Sequence, residues 1–131
     1  MRQEAEHWLQ DGRNDLADAR RMSDGGMYNW AVFAARQAAE KMLKAAYITL
    51  RQEDPPAIHS LLGLAKSIAV EVPEAVAEDL RELSRHYVTT RYPDAIEGVT
   101  ADAYSATSAK RAIAQAERIA AWITQGLPST S

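Results

Sequence analysis

Arginines, lysines and aromatic rings that can meet a phosphate are spread along this chain of 131 residues, and Arg91 heads them. Counted at about 100° per residue, Arg91 falls on the same side of its segment as Val76, Leu80 and Tyr87. A guanidinium on an apolar stripe is costly unless an anion or a carboxylate satisfies it. Position alone favours a plainer role, because a cation in a last helical turn meets orphan carbonyls and complements the helix dipole. His59 follows Pro55-Pro56-Ala57-Ile58. It can contact a phosphate or carry a proton, or it can be an exposed first-turn histidine. Lys41 and Lys44 either bring positive charge to a groove or pair with Glu40 in a solvated stripe.

His86 sits five residues after Arg81, which fits the letter of a ribonuclease pattern of arginine, four to six residues, then histidine. On an uninterrupted helix that spacing sets the two about 140° apart, so they do not converge on one substrate. Tyr47, Tyr87, Tyr92 and Tyr104 can stack bases, although spacing assigns Tyr87 and Tyr104 mainly to the core. The sequence has no glycine-rich phosphate loop, no His-Glu-x-x-His zinc motif and no strand-borne nucleophile elbow. His7, His59 and His86 show no metal-ligand spacing, and no cofactor is expected.

Composition narrows the field further. The chain has no cysteine, which removes disulfide scaffolds, thiolate metal sites and cysteine nucleophiles. Fifteen Lys and Arg stand against eighteen Asp and Glu, a net charge of −3, so any anion site must be local rather than a general basic surface. No stretch approaches the roughly 18 consecutive apolar residues of a membrane span. Met1 to Glu6 is polar and acidic, without the pattern of a signal peptide, and a cytoplasmic protein is expected.

These side chains must be positioned by helices. Alanine occurs 25 times and β-branched residues are few, which favours closely packed helices over sheet. Breakers at Asp24-Gly25-Gly26, Asp54-Pro55-Pro56, Pro73, Pro93-Asp94, Gly98 and Gly126-Leu127-Pro128 cut the chain into five segments. The first, about Glu4 to Met22, carries Ala5, Trp8, Leu9, Leu16 and Ala19 on one arc. Gly12 lies on that arc, and its helix cost of about 1 kcal/mol points to a close neighbouring backbone. The second, about Met27 to Leu50, is apolar around most of its circumference, which marks the central helix of a bundle. Its polar residues Arg36, Gln37, Glu40, Lys41 and Lys44 form one stripe, with Arg36–Glu40 and Glu40–Lys44 spaced to meet. A third helix is expected over about Ile58 to Val70. A fourth runs from Pro73 until Tyr92, which Pro93 pushes out of helical geometry, and a fifth spans about Asp102 to Gln125. The architecture is therefore an all-α, antiparallel up-and-down bundle of about five helices. It forms one domain over residues 1–128, with a polar tail at 129–131.

The run Gln37-Ala38-Ala39-Glu40-Lys41-Met42-Leu43-Lys44-Ala45 resembles the second helix of HEPN domains (higher eukaryotes and prokaryotes nucleotide-binding). Three further features agree in order. An earlier helix carries Trp8, Asp15-Leu16 and Ala19. His59 and Leu62 follow a proline-bearing loop. Leu83 to Tyr87 is then followed by Arg91-Tyr92-Pro93-Asp94 and a last helix with Tyr104. The resemblance implies a homodimer that buries a face of the central helices, an association with nucleotide or RNA, and a small nucleotidyltransferase as partner in a toxin–antitoxin-like pair. Its motif positions here are Gln37, Glu40, Lys41, Lys44, His59, Arg91, Tyr92 and Asp94. Ribonuclease members carry their arginine and histidine around a helix start. In this chain no histidine follows Arg91 at that spacing, and Arg81 and His86 lie within one helical segment. The expectation is therefore a binding protein without catalysis. The alternatives are a metal-independent ribonuclease toxin using Arg81 and His86, and a pure protein-interaction module.

Overall fold

A computed structural model describes residues 3–58, 60–68, 71–86 and 100–126, and every regular element among them is helical. Helix α1 (Gln3–Asp24) and helix α2 (Tyr28–Arg51) form a hairpin with the most extensive interface in the molecule. α1 ends because Gly26 takes a left-handed φ of 83°. This lets the Met27 N–H reach the Met22 carbonyl at 2.8 Å and the Gly26 N–H reach that of Ser23 at 3.1 Å, closing a Schellman motif. The break expected at Asp24-Gly25-Gly26 is therefore set by backbone chemistry alone.

The close approach expected at Gly12 is present. A Cβ built there would lie 2.7 Å from Met42 Cγ and 3.1 Å from the Ala38 carbonyl oxygen. Ala35, Ala38 and Ala39 of α2 and Ala5 and Ala19 of α1 are fully buried, so small residues line the surfaces of this hairpin. α2 also packs on the last long helix, which makes it the central helix of the bundle, as its circumference predicts.

Helix α3 (Leu61–Ser67) begins three residues later than Ile58, the start that periodicity suggests. Ser60 decides this, since its hydroxyl accepts from the Gly63 N–H at 3.1 Å and caps the helix. Helix α4 (Glu74–Ser84) is preceded by Pro73, whose carbonyl accepts from Ala77. Ser84 Oγ accepts from the Leu61 N–H at 2.8 Å and ties the end of α4 to the start of α3. The helical end expected at Tyr92 lies outside the described residues. A 3-10 turn (Thr100–Ala103) leads to helix α5 (Ala106–Ala121), which a reciprocal capping box between Ser105 and Ser108 starts. A widened π turn (Trp122–Gly126) follows. The fifth segment is thus one long helix between two differently wound turns rather than a single run. None of the described helices is long and apolar enough to cross a membrane.

Candidate functional site

Two clusters gather the described candidates. The first is the charged stripe of α2 where it faces α1. Glu40 takes Arg36 Nη1 at 3.0 Å and Lys44 Nζ at 3.1 Å, so both pairs expected from spacing form and share one carboxylate. Arg36 departs from the expected stripe in being buried, only 1% exposed. It stands at the edge of the stripe, where the neighbouring helices close over it. Lys41 reaches Asp15 at 2.9 Å and Asp11 at 3.9 Å, both on α1. Lys44 also lies 5.0 Å from the centroid of the Trp8 ring. That contact adds attraction between the ammonium and the ring face. Gln37 is half-buried on the same helix. The lysines are thus neutralised locally, and a phosphate arriving here competes with carboxylates already in place.

The second cluster lies at the end of α4. Arg81 donates to Glu74 at 3.2 Å and Glu78 at 3.0 Å, back along its own helix. His86 turns instead to Tyr104, with its Nδ1 3.1 Å from the phenol oxygen and the rings edge to face at 5.5 Å. The two members of the ribonuclease-like spacing therefore belong to separate networks, in agreement with their expected angular separation. Burial pushes the His86 imidazole below its ordinary value, so it is held neutral. One turn earlier, Glu82 accepts two bonds from Arg111, at 2.6 and 2.9 Å. This bidentate hydrogen bonding holds the Glu82 carboxyl below the usual carboxylate range.

Asp79 and Arg118 form a second bidentate bridge between α4 and α5, at 2.8 and 3.0 Å. Asp79 is buried and Arg118 is more than half exposed. Sequence reasoning missed this pair, and it also placed Tyr104 in the core without its histidine partner. No signal within either helix marks them, because their partners are 39 and 18 residues away. His59, Arg91, Tyr92, Asp94 and Tyr87 lie outside the described residues. In sequence, Arg91-Tyr92-Pro93-Asp94 falls between His86 and Thr100.

Comparison with known proteins places this geometry among its relatives. A family model described as the HEPN domain matches residues 5–127. The structure of TT1696 from Thermus thermophilus is similar with a TM-score of 0.88 at 36% identity, over 96% of this chain and 100% of that one. ST0689, an archaeal HEPN homologue, gives 0.81 at 28% identity over 95% and 98% of the two chains. An HEPN domain protein (TM0613) from Thermotoga maritima gives 0.71 at 27% identity over 90% and 94%. No curated protein matches the chain.

Proposed function

Since the chain belongs to the HEPN domain family, we propose that it is a nucleotide- or RNA-phosphate-binding homodimer, and that it binds its ligand without cleaving it. The observation that carries the choice of binding over cleavage is the division of Arg81 from His86. Arg81 is held by Glu74 and Glu78, and His86 is neutral and held by Tyr104. In that arrangement neither side chain supports the other at a ribose hydroxyl, which acid–base work on RNA requires.

In this proposal Arg91 is the main phosphate ligand, with Asp94 orienting it and Tyr92 stacking on or positioning the base. A guanidinium suits the task because its fork of donors matches two phosphate oxygens at once. His59 adds a further contact. Lys41, Lys44 and Gln37 face the cleft where two copies meet. The two lysines contribute by exchanging a carboxylate for a phosphate, so their share is smaller than that of Arg91. The chain's acidic total makes focusing within a cleft necessary, because an open acidic surface repels a polyanion. The protein partner is a small nucleotidyltransferase, as in a toxin–antitoxin-like pair, and the site of action is the cytoplasm.

Calorimetric titration of the wild type and Arg91→Ala with nucleoside mono- and triphosphates tests the proposal. Saturable binding by the wild type, weakened at least tenfold by the substitution while helix content is unchanged, supports it. Absence of binding by the folded wild type turns the reading to a protein-docking module.

A further inference from the structure

α2 is enclosed on most sides, and the side left uncovered is a single line. Trp30 is 41% exposed, and Phe33, Gln37, Glu40, Lys41 and Lys44 are partly exposed. At 3.6 residues per turn these six fall within a sector of about 100°. The two halves of the line differ in chemistry. The N-terminal half is aromatic, with Trp30 edge-on to Phe33 at 6.1 Å. The C-terminal half carries two ammonium groups whose charge is balanced, Lys41 by Asp15 and Lys44 by Glu40. Gln37 stands at the midpoint, seven residues from Trp30 and from Lys44, and four from Phe33 and from Lys41.

A line of this kind is complementary to itself when reversed. We propose that a second copy of the chain covers it, with the two α2 helices antiparallel and the two-fold axis passing near Gln37. This rests on the pairing of copies in the reading above and specifies its face and register. The two-fold sets Trp30 against the partner's Lys44 and Phe33 against the partner's Lys41, and does so twice, as an isologous interface requires. Lys44 already covers one indole, that of Trp8, and its other side is available to a second ring. Charge argues against a nucleic acid laid along the same line. Asp11, Asp15 and Glu40 stand beside Lys41 and Lys44, so a polyanion would meet more carboxylates than ammonium groups there. An uncharged aromatic half meets no such penalty.

The absence of native cysteine makes the register directly measurable. Trp30→Cys, Gln37→Cys and Lys44→Cys are prepared singly and treated with a bis-maleimide of about 10 Å span, matched to packed helix axes. Light scattering of the wild type gives the mass, and circular dichroism confirms that each variant is helical. The expected results are a wild-type mass twice 14.4 kDa and efficient linking of Gln37→Cys to itself. Trp30→Cys and Lys44→Cys link poorly alone and efficiently when mixed and allowed to exchange. Two Trp30 positions lie about 21 Å apart along an antiparallel pair, beyond the reagent. A monomeric wild type overturns both the pairing and the register. A dimer in which Gln37→Cys stays unlinked, or in which Trp30→Cys links to itself, overturns the register alone.

Discussion

At Gly12, a methyl group would enter space that Met42 Cγ and the Ala38 carbonyl already occupy. On an open helix surface Gly→Ala gains about 1 kcal/mol. Here that gain is outweighed by overpacking of about 1–3 kcal/mol, because the carbonyl is backbone and Cγ is near the root of its side chain. Gly12→Ala is therefore expected to lower stability by about 1 kcal/mol in denaturant titration, and a rise would contradict the packing described. His86 gives a second prediction at this scale. Its folded value lies below the ordinary one near 6.5. Between the two, the unfolded chain takes up a proton that the folded chain refuses, so stability falls as pH drops through that window. His86→Gln should lose less melting temperature than the wild type between about pH 7.5 and 5.5. Glu82 acts in the same direction but at lower pH, since its carboxyl is depressed by Arg111 and the stability it contributes is lost only in stronger acid. Equal losses in wild type and variant would remove His86 from the acid response.

The α4–α5 bridges separate a buried pair from an exposed one. Asp79 is buried while Arg118 is largely in water. Removing the arginine strands a desolvated carboxylate, whereas removing the carboxylate leaves an arginine that water accommodates. Arg118→Ala is expected to cost about 3 kcal/mol and Asp79→Ala about 1–2 kcal/mol, measured by chemical denaturation. The reverse order would mean that the burial of Asp79 does not govern the pair. Arg111 is 65% exposed, and Arg111→Ala should cost less than about 1 kcal/mol despite its shorter bonds to Glu82. The elements differ in the same way in how far the sequence reveals them. The end of α1 is legible because Gly25-Gly26 acts within a few residues. The start of α3 is not, because Ile58 continues an apolar pattern that the Ser60 cap interrupts. The burial of Arg36 and Asp79 depends on helices distant in sequence, and no periodicity within α2 or α4 encodes it.

For the whole molecule, alanine content and an all-round apolar α2 were enough to specify a helical bundle, and the family match over residues 5–127 agrees with it. The candidate site was less legible. Its positions came from resemblance, and the residues that structure joins to them, Tyr104 above all, carry no mark in sequence. The central claim is that this bundle holds a phosphate through Arg91 and performs no cleavage. A labelled single-stranded RNA incubated at low salt with the wild type, Arg91→Ala and His86→Ala, then run on native and denaturing gels in parallel, tests both halves together. The account predicts a wild-type shift on the native gel, intact RNA on the denaturing gel, and loss of the shift in Arg91→Ala only. RNA cut by the wild type and spared by His86→Ala would contradict it and establish a ribonuclease.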